Sequence, residues 1–276
     1  MRVYISSDME GSTGVVHPFQ VDCERAEYAF GRAMQAHDAL EAAKAALEYG
    51  ACGVVVNDSH ERMINLDVSR FPKGVEVISG SPKILGMVDG VAGCDAALFI
   101  GYHAMAGTEK AILDHTYSSK AVFELKVNGR KFGETALNAL FCGALEVPVA
   151  LVVGDSAVCL EASSALGAGL ETCAIKDGAG RMAGLVLPPE TTSFMIRKAV
   201  SSALDKAANG SSPLFKMDGP YSIELTFHST AQADAAALVP GSERVSGRAL
   251  VFGTEDVFEM RRWLCSAIDC AELVPF

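Results

Sequence analysis

The chain has 276 residues, half of them apolar, with 21% charged and a net charge of -11. That supplies core for one large α/β domain or two modest ones and leaves no polar tract that would stay disordered. The negative field argues against nucleic acid and against anionic membrane surfaces as partners.

The chain opens Met1-Arg2-Val3-Tyr4-Ile5, which reads as the start of a strand and not as a charged segment before an apolar leader. No apolar run approaches the roughly 20 residues of a bilayer span. These features predict a soluble, cytoplasmic protein. Four short apolar runs, Val3 to Ser6, Gly53 to Val56, Ala96 to Ile100 and Val149 to Val153, read as buried parallel strands. Between them lie helical patterns. The longest runs from Glu24 to Tyr49, with Ala26, Phe30, Ala33, Met34, His37, Leu40, Ala43 and Leu47 on one stripe and Gly50 as its stop. Two more helices are expected at Glu134 to Leu145 and Ala157 to Leu166.

Tyr117 to Lys131 breaks this rhythm. Ala121, Phe123, Leu125 and Val127 alternate, and Asn128-Gly129 comes next, which predicts an antiparallel hairpin inserted in the sheet. Asp177-Gly178-Ala179-Gly180, flanked by Lys176 and Arg181, reads as a turn, because it has neither Walker nor Rossmann spacing. Pro188-Pro189 marks the expected boundary between a catalytic core, 1–188, and a smaller α+β subdomain, 189–276. Beyond it a helix (Thr191 to Ala208), strands at Tyr221 to Phe227 and Ala249 to Phe252, and a closing helix (Glu255 to Ala271) are expected. The predicted fold is a doubly wound, mainly parallel α/β sheet with the inserted hairpin and this subdomain. The eight cysteines lack zinc-knuckle spacing and are read as reduced and structural, with Cys52, Cys94, Cys142, Cys159 and Cys173 in apolar surroundings.

The chemistry lies in the residues immediately beyond each strand. The first ends Ser7-Asp8-Met9-Glu10-Gly11, the second Asn57-Asp58-Ser59-His60, the third Gly101-Tyr102-His103. Ligands of open parallel sheets bind at the carboxyl ends of strands, so two carboxylates and two imidazoles are expected to converge there as metal ligands. Asp8 and Glu10, two apart, point to one face of an extended chain. Neighbouring carboxylates repel unless a cation neutralises them, and one carboxylate can bridge ions roughly 3.5–4 Å apart. Taken alone, Asp8-Met9-Glu10-Gly11 also reads as a polar turn, and either histidine as a satisfied core residue. Glu134 alone reads as a helix-terminus carboxylate. His115 is either a proton shuttle or a surface loop histidine. His17, His37 and His228 are read as structural. No Gly-x-Ser-x-Gly elbow is present, which disfavours a serine hydrolase.

Ser7-Asp8-Met9-Glu10-Gly11, Asn57-Asp58-Ser59-His60, Gly101-Tyr102-His103-Ala104 and Gly133-Glu134 with Leu137-Asn138-Ala139 resemble the motifs of the D-aminopeptidase family. The likeness continues at Ile78-Ser79-Gly80, Pro148 through Asp155, Ala174-Ile175-Lys176 and Val239-Pro240-Gly241, so it covers most of the chain. It implies a binuclear zinc aminopeptidase with two Zn2+ per subunit. Asp8 would bridge the ions, Glu10 would hold one, and His60, His103 and Glu134 would complete the pair, mainly around the other. His115 would be the catalytic histidine. The resemblance also implies short peptide substrates with an N-terminal D-residue and a ring-shaped homo-oligomer, a decamer. The rival expectations are a dimetal phosphoesterase, poorly supplied with cations near the motifs beyond Arg62 and Lys110, and a non-catalytic peptide-binding ring protein.

Overall fold

The structure is a computed structural model that describes residues 1–274. In chain order its elements are β1 (Arg2–Ser7), α1 (Tyr28–Tyr49), β2 (Gly53–Asp58), β3 (Val75–Ile78), β4 (Ala96–Tyr102), β5 (Val122–Val127), β6 (Arg130–Lys131), α2 (Glu134–Ala144), β7 (Val149–Asp155) and α3 (Ser156–Leu166). They continue with β8 (Glu171–Gly180), β9 (Ala183–Val186), α4 (Pro189–Ala208), β10 (Tyr221–Phe227), α5 (Thr230–Ala236), β11 (Glu243–Arg244), β12 (Ala249–Thr254) and α6 (Val257–Glu272).

These elements form two compact units. The first comprises Met1–Ala104, Glu109–Leu113 and Asn138–Lys216. Its sheet has the order β3-β2-β1-β4-β7-β8-β9 and is parallel except at β9. Val3, Ile5, Val54, Val56, Leu98, Ile100, Leu151 and Val153 turn to one face. There they bury against Ala39, Ala42, Ala43 and Ala46 of α1 and Ile196, Val200, Ala203 and Leu204 of α4. On the other face Tyr4 and Ser6 donate to the Met87 carbonyl, and Asn138 of α2 donates to the Tyr102 hydroxyl. Strand order reverses between β1 and β4, and the crevice at their carboxyl ends is where such sheets bind ligands.

The second unit comprises Met105–Thr108, Asp114–Leu137 and the chain from Met217 onward. Its antiparallel sheet has the order β11-β12-β10-β5-β6. Ile223, Leu225 and Phe227 alternate inward along β10, the period expected of a sheet covered on one face. Trp263 of α6 stacks on Phe252 at 5.3 Å.

Four expectations need correction. The hairpin turns at Asn128-Gly129, both at positive φ as its sequence demands. However, it extends the second sheet through β5–β10 pairing and is not inserted in the parallel one. The boundary at 188 does not match the compact units, because α4 packs on α1 and β8 in the first unit. The segment 177–180 is not a turn but the end of β8, paired antiparallel with β9. Finally, the buried stripe of α1 is the alanine series with Gln35 and Asp38, whereas Phe30 is 44% exposed. Small alanines let the helix lie close to the sheet. All eight cysteines are free thiols, as expected, although Cys52 is exposed and not in an apolar setting.

Candidate metal centre

Asp8 is the first residue beyond β1. Its N–H donates to the Ile100 carbonyl at 2.8 Å, and the Gly11 N–H donates to the Gly101 carbonyl at 2.7 Å, so the 8–11 loop lies along the end of β4. That approach requires glycine at both positions. A Cβ on Gly11 would sit 1.9 Å from the Tyr102 carbonyl oxygen, and one on Gly101, at φ +76°, 2.2 Å from that of Asp8.

This loop brings Asp8 and Glu10 to His60 and His103. His60 Nδ1 lies 3.1 Å from Glu10 Oε2 and 3.4 Å from Asp8 Oδ1, and His103 Nε2 lies 3.5 Å from Asp8 Oδ2. All four side chains are nearly fully buried. Asp8, Glu10 and His103 offer ligand atoms within 4.8 Å of one another.

The second nitrogen of each imidazole is spoken for. His60 Nε2 meets the Val21 carbonyl at 2.9 Å, and His103 Nδ1 meets that of Ala104 at 3.1 Å. A carbonyl can only accept, so each of these nitrogens carries a proton, and the other nitrogen, once it gives up its proton, has its lone pair on the carboxylate side, where a cation would stand. This is how proteins orient metal-binding histidines. Burial opposes charge on His60, but the Glu10 and Asp8 carboxylates outweigh it and hold the imidazole well above its usual range. Two buried carboxylates facing two imidazole nitrogens form a donor set that suits zinc.

Supporting residues fix each piece. Asp58 accepts from the N–H of Leu66 (2.9 Å) and the side chain of Asn65 (2.9 Å), and Asn65 returns a bond to the His60 carbonyl (2.8 Å). Gln35 of α1 reaches the Ser7 carbonyl at 2.9 Å. Asp38 accepts from the N–H and hydroxyl of Thr13, and Lys176 donates to three carbonyls of the same loop. Strand-end reasoning reaches Asp58 without giving it a role and does not find Asp38 or Lys176. A lysine directly after the apolar Cys173-Ala174-Ile175 is the one sequence signal for a buried ammonium.

The other two expected residues lie in the second unit. Glu134 opens α2, and its Oε1 accepts the N–H of Tyr117 at 2.7 Å. His115 Nε2 lies 3.9 Å from the same oxygen. The structure therefore brings together Asp8, Glu10, His60 and His103 in one unit and His115 with Glu134 in the other. His17 caps the 18–20 turn, His37 bonds Asp38 and Ser193, and the His228 ring meets Phe123 edge-on.

The chain is similar to known proteins along nearly its whole length. The family model described as D-aminopeptidase matches residues 1–266. A D-aminopeptidase of Bacillus subtilis (strain 168) is 33% identical over 261 residues, 94% of this chain and 93% of that protein. The zinc-dependent D-aminopeptidase DppA from Bacillus subtilis, described as a self-compartmentalizing protease, superimposes with a TM-score of 0.94 at 31% identity, covering both chains completely. With the family model matching residues 1–266 and a relative 33% identical over 94% of the chain, this chain belongs to the D-aminopeptidase family.

Proposed function

We propose that the chain is a zinc-dependent aminopeptidase that hydrolyses the N-terminal amide bond of short peptides, with two zinc ions per subunit and a D-residue at the substrate's N-terminus. The observation that carries this reading is the division of Asp8: one carboxylate oxygen faces His60, the other faces His103. A carboxylate shared in that way is suited to bridge two cations. Asp8, Glu10 and His60 would hold one ion and Asp8 and His103 the other, with Glu134 as the further ligand that the family resemblance implies. Placing His60 with Glu10 rests on their 3.1 Å approach and revises the partition that the resemblance implied.

When bound, the cations supply Lewis acidity toward an amide carbonyl and toward water. The chain's own residues do the rest. Asp8 and Glu10 balance the positive charge. Val21 and Ala104 carbonyls keep His60 and His103 in the ligating tautomer. His115 takes a proton from the nucleophile and returns it to the leaving amine, a task suited to an imidazole.

Homo-oligomerisation, as a decamer, and a cytoplasmic location complete the proposal. The first is supported by the self-compartmentalizing relative and by exposed Met182, Leu185 and Val186 at the β8–β9 edge. Compatible with the second, no helix among the described residues is long and apolar enough to cross a membrane.

The test is elemental analysis of the purified protein, then hydrolysis of D-alanyl and L-alanyl chromogenic amides and of a phosphodiester, with and without a chelator. Zinc bound in a ratio of two per chain and chelator-sensitive cleavage of the D-amide are expected. Cleavage of the phosphodiester alone, or peptide affinity indifferent to chelation, would reject the reading.

A further inference from the structure

Lys176 is a nearly fully buried charge. It sits on β8 with 3% of its surface exposed. Its Nζ donates to the carbonyls of Glu10 (2.5 Å), Ser12 (3.0 Å) and Val15 (2.6 Å). An ammonium has three N–H donors, and three carbonyls take them all. Nothing is left over for proton transfer or for a ligand.

The three carbonyls belong to one segment, the loop that leaves β1 through Asp8 and Glu10. Carbonyl dipoles turned toward a single point repel one another unless a donor gathers them, and here the donor is an ammonium covalently part of β8. The same loop is gripped elsewhere by a charge of opposite sign: Asp38 of α1 accepts from Thr13 N–H (2.8 Å) and Thr13 Oγ1 (2.7 Å). Gly11 ties it to the end of β4 through the Gly101 carbonyl. Glu10 is thus fixed through its own carbonyl by Lys176 while its carboxylate faces His60.

We infer that Lys176 is a positioning residue of the metal centre: it holds the 10–15 backbone so that the Glu10 carboxylate stands in its ligating place before a cation arrives. The inference rests on the zinc reading above for its consequence, but its immediate effect is on the metal-free protein.

The experiment compares wild type with Lys176→Met, which keeps the length and removes the charge, and Lys176→Gln, which keeps a neutral donor. Leu204→Ala, a core truncation on α4 far along the chain from this loop, serves as a control for general destabilisation. Amide hydrogen exchange of the 9–16 segment is measured without metal. Zinc affinity is measured by chelator competition, and kcat and KM with a D-alanyl amide.

For Lys176→Met, exchange of 9–16 is expected to accelerate while β2 and β4 stay protected. Zinc affinity is expected to fall about 10- to 100-fold, the range for lost outer supports of a metal site. The fall in activity should lie in kcat, with KM nearly unchanged, and Lys176→Gln should fall between. Leu204→Ala should lower Tm and leave loop exchange and zinc affinity alone. The inference is overturned if Lys176→Met keeps wild-type exchange and affinity, or loses only what Leu204→Ala loses. Failure of both lysine variants to fold overturns it too, since the residue would then support the whole fold. A wild-type protein without zinc affinity rejects the proposed function instead, and the exchange result still judges Lys176.

Discussion

His103 turns Nε2 toward Asp8, 3.5 Å from Oδ2, while its Nδ1 is committed to the Ala104 carbonyl. The ring therefore has one remaining direction in which to ligate, and Asp8 occupies the same direction. His60 repeats the arrangement on Oδ1, with Val21 in the role of Ala104.

The first prediction concerns that symmetry. His60→Ala removes a nitrogen facing both Glu10 and Asp8, so zinc and activity should be lost together. The ring lies at a strand end and outside the apolar core, and the fold should survive with only a modest change in Tm. Far-UV circular dichroism, zinc content and turnover measured on one sample decide this. Unaltered turnover in the folded variant would remove the site from consideration.

His115→Ala should behave differently. Its partner is Glu134 Oε1 at 3.9 Å, and the role assigned to it is proton transfer. Zinc content should stay at the wild-type level while kcat drops about 10²- to 10⁴-fold, the usual span for a lost acid–base group. If zinc leaves with the imidazole, His115 is a ligand and the assigned role is wrong.

The centre was legible in the sequence for a physical reason. β1, β2 and β4 are continuous apolar runs because both faces of a parallel sheet are covered, and so Asp8, His60 and His103 stand out among the first polar residues after each run. The supports were not legible in this way. Asp38 and Lys176 belong to no motif of their own, and their meaning depends on Thr13 and on three backbone carbonyls distant in sequence. The end of β8 was hidden because Asp177-Gly178-Ala179-Gly180 carries no apolar alternation, and pairing with β9 continues the strand beyond the stretch that pairs with β7. The hairpin at Asn128-Gly129 announced its turn locally, but its sheet is set by β10, about a hundred residues later.

A third prediction concerns pH. His37 on α1 bonds Asp38 Oδ1 at 2.8 Å and Ser193 Oγ of α4 at 2.9 Å. The bond to Asp38 raises the imidazole above its ordinary 6.5; burial opposes this, the charges of Asp38 and Glu41 add to it, and Arg70 works against it. A histidine raised on folding gives stability that is complete below 6.5 and is lost as pH climbs through the folded value. Wild type should therefore lose Tm between neutral and mildly alkaline pH relative to His37→Gln, both metal-free. Parallel Tm curves for the two proteins would show that the pair contributes nothing.

The last prediction returns to the loop. Gly11 lies where a Cβ would stand 1.9 Å from the Tyr102 carbonyl oxygen and 2.5 Å from the Gly101 carbonyl carbon. Both obstacles are backbone at the end of a central strand, so neither can swing aside as a side-chain tip would. Gly11→Ala must push the loop away from β4, lengthening the Gly11 N–H bond to Gly101. Overpacking of this kind costs about 1–3 kcal/mol, and the first turn of chain to move is the one that carries Asp8 and Glu10. Lower Tm together with weaker zinc binding is expected, with the loss of affinity exceeding that of a core truncation of equal Tm such as Leu204→Ala. Should Gly11→Ala bind zinc as tightly as wild type, the placement of the carboxylates does not depend on this close contact, and the backbone account of the centre fails at its starting point.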